Sequence, residues 1–186
     1  RPCLGERVSG DTVVIEHRDD ILFLAVVDAL GHGPQANAVA NRAELFLRQH
    51  WSGDVLDTIQ QLHAELKGTI GAAAGLGVIN RRTCELRYTG VGNTVLRTFG
   101  SRTTRLISTD GIVGIRFRTP TVQAAPVSAS DIILLYTDGV SDRFDVALER
   151  TNKTKNDIRL LDGHLQIDCK TTGGRIHGDI AFTNCD

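Results

Sequence analysis

The sequence predicts a layered α/β (α+β) fold built on mainly antiparallel sheets. Three observations carry this expectation. Short apolar runs separated by polar turns recur at hairpin spacing. Two segments, 34–50 and 54–66, carry apolar residues at helical spacing and lie between those runs. Strands and helices do not alternate one for one, as a doubly wound parallel sheet requires.

At 186 residues the chain is expected to form a single domain, 1–186, with an atypical tail over 151–186. Apolar residues make up 41% and charged residues 23%, enough for a sizeable core. The formal net charge of −1 argues against a nucleic-acid partner or a charged membrane surface. No apolar run approaches the roughly 18–20 residues that span a bilayer, and no signal peptide is visible. Cys3, Cys84, Cys169 and Cys185 show neither CxxC spacing nor a paired His, so no zinc site is expected. They read as reduced thiols in a cytoplasmic protein. The chain opens with Arg1 and contains no Met, which predicts native residues upstream.

Residues 11–16 and 21–28 read as a β-hairpin around His17-Arg18-Asp19-Asp20, whose paired carboxylates suit a solvated turn. Pro34 fits the first turn of a helix whose apolar face is Ala36, Val39, Ala40, Ala43, Leu45, Phe46 and Leu47. Asp54 is placed to cap a second helix bearing Val55, Leu56, Ile59, Leu62 and Leu66. Strands are expected over 72–79, 84–89, 94–99, 102–107 and 119–125. Cys84 reads as a strand residue. Residues 131–137 form a strongly apolar run expected to be a central strand, with a short helix after Asp138-Gly139. In the tail, 160–169 and 176–182 suit short strands. The run Gly71-Ala-Ala-Ala-Gly75-Leu-Gly77 lacks the following helix of a dinucleotide fingerprint and reads as a glycine-softened strand.

The chemistry centres on Asp28. An apolar strand delivers it to a Gly31-His32-Gly33 turn, and a carboxylate placed there calls for a partner or a cation. Asp138 ends another apolar strand before a glycine. If those strands are neighbours, their carboxylates converge, and the repulsion demands a proton or a metal. Asp11 lies on the strand that hairpins onto that of Asp28, and Asp142 follows Asp138 by one turn. An oxygen-only cluster prefers Mg²⁺ or Mn²⁺ to Zn²⁺.

Five segments occur in order: Ser9-Gly10-Asp11, Val26-Val-Asp28-Ala-Leu-Gly-His-Gly33, Gly90-Val-Gly-Asn93, Gly111-Ile-Val-Gly114 and Leu135-Tyr-Thr-Asp138-Gly-Val-Ser-Asp142. Over residues 5–145 the chain thereby resembles the bacterial SpoIIE/RsbU/RsbX branch of the metal-dependent (PPM, type 2C) serine/threonine phosphatases. It is most similar to the RsbX type.

The resemblance implies two antiparallel sheets in a sandwich with helices on both outer faces (αββα). It implies hydrolysis of phosphoserine or phosphothreonine by a metal-activated water, with Mn²⁺ or Mg²⁺, two ions, and no phosphoenzyme. Asp28 would bridge the metals, the Ala29 carbonyl would join the second and Asp138 would hold the first. Asp11 would bind metal waters, and Asp142 would touch an additional metal or its waters. The implied partners are phosphorylated STAS-domain stressosome proteins of the RsbS and RsbR type. His32 carries an imidazole suited to protonating a leaving group, though its spacing from Asp28 favours a role in shaping the turn. Arg7 is a candidate contact for phosphate, against a plain surface role.

The last motif of the family departs here. Gly178 stands where a carboxylate is expected, so Asp179 would have to shift into the site. That departure supports an alternative, a non-catalytic pseudophosphatase module that holds a phosphoprotein.

Overall fold

A computed structural model describes residues 6–100 and 102–140, together with the backbone of the tail strands named below. The chain divides into two compact units, Arg1–Thr137 and Asp138–Asp186.

The first unit runs β1 (Asp11–Arg18), β2 (Ile21–Ala29), α1 (Gly33–His50), α2 (Val55–Glu65), β3 (Ala72–Asn80), β4 (Glu85–Val91), β5 (Val95–Phe99), β6 (Thr104–Ile107), β7 (Gly111–Ile112), β8 (Arg116–Phe117), β9 (Gln123–Pro126) and β10 (Ile132–Tyr136). Strands β1-β2-β3-β4-β9 form one sheet and β10-β5-β6 a second, both antiparallel. The short β7–β8 hairpin was not expected from the sequence.

The alternation of side chains assigns the two faces of the first sheet. Phe23, Ala25 and Val27 of β2, with Ala72, Ala74, Leu76 and Val78 of β3, join Ala36, Val39, Ala43 and Leu47 of α1 and Val55, Ile59, Leu62 and Leu66 in one core. The intervening positions face the second sheet, where Leu22 and Leu24 meet Leu96, Leu106, Ile133 and Leu135. Gly75 and Gly77 lie under that sheet. A Cβ on Gly75 would come within 2.7 Å of Thr94 Oγ1, so the run read as a glycine-softened strand is one, flattened where the sheets approach. Leu45, expected on the apolar face of α1, is exposed instead.

Local signals explain the helix boundaries. Asp54 caps α2, its carboxylate accepting from the N–H groups of Leu56 at 2.9 Å and Asp57 at 3.2 Å. The α1 start is unusual: Pro34 occupies its first turn, His32 at the cap makes no side-chain capping bond, and the first turn has no acidic residue of its own.

Three points are corrected. Among the described residues β10 is the end strand of the second sheet rather than a central strand. It belongs to a different sheet from β2, so the strands leading to Asp28 and Asp138 are not hydrogen-bonded neighbours. An apolar run predicts a buried strand without saying which sheet it joins, and at this sheet end residues 132–135 are only half-buried. Cys84 precedes β4 in an exposed turn at φ 54° rather than lying in the strand.

In the second unit, β11 (Thr154–Lys155) pairs with β12 (Ile158–Arg159), and β13 (Gly163–Thr171) with β14 (Gly174–Phe182). The helix expected after Gly139 falls outside the described residues; Asp138 and Gly139 form a turn.

Candidate metal centre

Asp11 and Asp28 stand directly opposite each other where β1 and β2 end. The Ala29 N–H donates to the Gly10 carbonyl at 3.0 Å, closing the adjoining rung. Rungs alternate, so the Asp11–Asp28 rung is the type without mutual hydrogen bonds, in which side chains approach most closely. Cβ atoms on such a rung are about 4.5–5.5 Å apart. Both carboxylates lie on the face of the sheet that packs toward the second sheet, because they share phase with Val26 and Leu24.

The loop before β1 is held in place by α1. Asn37 Nδ2 donates to the Ser9 carbonyl at 2.8 Å. A Cβ on Gly10 would lie 2.8 Å from the Ala36 Cβ, so only glycine lets the loop sit this close to the helix. Ser9 Oγ donates to Asp11 Oδ2 at 2.9 Å, and the Asp11 N–H returns a bond to Ser9 Oγ at 3.2 Å. The Leu30 N–H donates to the Gly71 carbonyl at 3.0 Å, tying the turn after Asp28 to the start of β3.

These elements enclose a cavity of about 90 Å³ lined by Val8, Ser9, Gly10, Asp11, Asp28, Gly31, His32 and Gly33. It has room for several water-sized species. Asp28 is half-buried and Asp11 exposed. Two like charges directly opposite on a rung destabilise it, and a cation removes the conflict. Apart from the exposed His32 ring, the donors are oxygen: two carboxylates, the Ser9 hydroxyl and nearby carbonyls. That chemistry fits a hard divalent cation. It supplies part of a coordination shell, since no group of three or more His, Cys, Asp or Glu side chains forms a metal site among the described residues.

The other expected site residues are distributed as follows. Ala29 is buried next to Asp28, and a Cβ on Gly10 would lie 3.4 Å from its carbonyl oxygen. His32 lines the cavity, with its side chain 68% exposed. Arg7 is on the surface and not in the cavity wall. Asp138 is exposed in the turn that opens the second unit. Asp142 lies outside the described residues. Asp179 is on β14 opposite Gln166, and Gly178 is opposite Ile167.

Sequence reasoning missed Asn37 and Glu6. Asn37 sits one turn into α1 after the Gly-His-Gly turn, a position from which a side-chain amide can reach back to a preceding loop. Glu6 precedes every regular element, and no local pattern marks it. Its Oε1 lies 2.9 Å from His32 Nδ1. Gly33 leaves room at the start of α1. The group it admits is the Glu6 carboxylate, whose oxygens would lie 2.9 Å from a Cβ there, at a backbone φ of 74°.

The family model described as Stage II sporulation protein E (SpoIIE) matches residues 18–179. The chain belongs to the SpoIIE family. SpoIIE from Bacillus subtilis carries a PP2C phosphatase domain. Among solved structures, the chain is similar to one described as "The bacterial stressosome: a modular system that has been adapted to control secondary messenger signaling". The two share 28% identity at a TM-score of 0.73, over 77% of this chain and 76% of that one. RsbX in complex with magnesium is 23% identical at a TM-score of 0.69, covering 75% of this chain and 71% of that one. The PP2C domain of SpoIIE from Bacillus subtilis, solved with a fragment of its regulatory domain, is 21% identical at a TM-score of 0.65. It covers 75% of this chain and 44% of that one. The latter two share the fold, an antiparallel sandwich with packed helices. Among the described residues, no helix is long and apolar enough to cross a membrane.

Proposed function

We propose that this chain hydrolyses phosphoserine or phosphothreonine on a STAS-domain protein of the RsbS or RsbR type, using Mn²⁺ or Mg²⁺ in the cytoplasm. The observation that carries the reading is the Asp11–Asp28 rung: two carboxylates fixed face to face beside a cavity, in a chain of the SpoIIE family. The likeness to a stressosome-related structure and to RsbX supports the choice of partner.

Asp28 and Asp11 would hold the ions with the Ala29 carbonyl, and Asp138, Asp142 and Asp179 are the candidates to complete two sites. When bound, the ions supply Lewis acidity toward water and positive charge for the phosphoryl oxygens. The chain's own residues do the rest. Gly10 and Asn37 fix the loop that carries Asp11. His32, at the cavity wall, donates a proton to the departing serine or threonine oxygen. Arg7 adds positive charge at the approach to the cavity. The reading needs no protein nucleophile and no phosphoenzyme.

The test is phosphate release from a phosphorylated STAS-domain protein with Mn²⁺ present. Turnover by the intact chain that is lost in Asp28→Asn supports the reading; no turnover, or full activity in Asp28→Asn, sinks it. A second reading, a pseudophosphatase that holds a phosphoprotein without cleaving it, is favoured by one observation: Gly178 stands where the family's last motif is expected to carry a carboxylate. Calorimetric metal titration separates the two. Strong binding at two sites supports the enzyme, and one weak site favours the binding module.

A further inference from the structure

The contact between Glu6 and His32 joins a residue outside every regular element to the wall of the candidate site. His32 Nδ1 is 2.9 Å from Glu6 Oε1. A carboxylate has no hydrogen to give, so Nδ1 carries the proton and donates it. The Glu6 carboxylate also lies over Gly33. Both its oxygens lie close above Gly33, where any side chain would collide with them. It therefore sits against the first turn of the 18-residue helix α1, which has no acidic residue of its own there and no capping bond from His32. A negative charge is stabilised at that end of a helix. The Glu6 side chain is 27% exposed and that of His32 68% exposed, so the anchor is the better shielded partner and the ring the more accessible one.

We propose that Glu6 is a positioning residue for His32. By accepting the Nδ1 proton it fixes the ring's orientation and leaves Nε2 as the nitrogen available to substrate. A neutral histidine in water carries its proton mainly on Nε2, so an Nδ1–H form is imposed by the pairing. The consequence for reaction rests on the phosphatase reading. In the imidazolium form, Nε2–H passes its proton to the serine or threonine oxygen as the P–O bond breaks. The ring is left neutral with its proton on Nδ1, still bonded to Glu6. No proton has to move through Glu6. The carboxylate keeps one geometry before and after the transfer.

Two measurements test this. The first is the ¹⁵N shifts of the His32 ring in the metal-free protein, read above its titration. The wild-type chain is expected to show the Nδ1–H tautomer, and Glu6→Ala to move it toward Nε2–H. An Nε2–H tautomer in the wild type, or no change in Glu6→Ala, overturns the proposal. The second compares two substrates with Mn²⁺. A serine leaving group needs a proton, whereas the nitrophenolate of p-nitrophenyl phosphate leaves without one. Glu6→Ala is expected to lower kcat on a phosphoserine peptide by about 10-fold more than on p-nitrophenyl phosphate. It should add nothing further in a His32→Ala background. Equal losses on both substrates, or an added loss in that background, would show that Glu6 serves only the helix start. Failure of the wild-type chain to cleave either substrate sinks the phosphatase reading and the proton transfer with it. The tautomer result then still decides whether Glu6 sets the ring.

Discussion

Asp11 and Asp28 face each other across the closest kind of antiparallel rung, at the end of the β1–β2 hairpin. Hairpin register places them there, and a one-residue slip would put them on opposite faces of the sheet. Two carboxylates so placed repel in the metal-free protein, and on the function proposed above they bind a divalent cation jointly. Asp28→Asn is therefore expected to unfold no earlier than the wild type without metal. Mn²⁺ at about 100 times its dissociation constant should stabilise the wild type by about 2.7 kcal/mol and the variant far less. Thermal unfolding with and without Mn²⁺ checks this; equal stabilisation of both proteins would rule the rung out as a metal site.

Gly10 is the point at which the Asp11 loop touches α1. Gly10→Ala places a methyl 2.8 Å from the Ala36 Cβ and 3.4 Å from the Ala29 carbonyl oxygen. Overpacking of this kind costs about 1–3 kcal/mol. The loop also carries Asp11, so metal affinity should fall together with stability. Denaturant unfolding and Mn²⁺ titration of the same variant read the two effects; unchanged metal binding would separate the loop from the site.

His63 predicts a pH dependence. Its Nδ1 accepts the Gly114 N–H at 3.0 Å, and its ring packs edge-on to Phe117 with centroids 4.6 Å apart. Burial, helped by the nearby Lys67 charge, pushes its pKa below the ordinary 6.5. Below 6.5 the unfolded chain binds the proton that the folded ring resists. This contribution to stability is therefore complete above about pH 6.5 and is lost as pH falls through the folded value. Protonation of Nδ1 also removes the acceptor for Gly114. In His63→Gln the dependence should flatten. Denaturant midpoints across that range test it, and parallel pH profiles for both proteins would exclude His63 as the cause.

Asp54 caps α2 through two backbone N–H groups. Asp54→Ala should cost about 1 kcal/mol, and Asp54→Asn much less, since the amide oxygen still accepts. Urea unfolding of the two variants provides the comparison.

Much of this architecture was legible because it depends on neighbours in sequence. The β1–β2 hairpin that carries Asp11 and Asp28, the capped start of α2, and the strand read through Gly75 and Gly77 follow from local periodicity, a capping residue and short turns. Those constraints act within a few residues, so a linear pattern records them. The β7–β8 pairing escaped because two-residue strands have no period to read.

The sequence by itself determined the carboxylates, the glycines around them and the family to which their order belongs. Tertiary structure alone decided which sheet β10 joins, that Asn37 and Ala36 clamp the Asp11 loop, and that Gly33 makes room for Glu6. These are contacts between residues 26 to 28 positions apart, or between separate sheets. Long-range packing selects them by shape and charge, and no repeating spacing along the chain encodes such a choice.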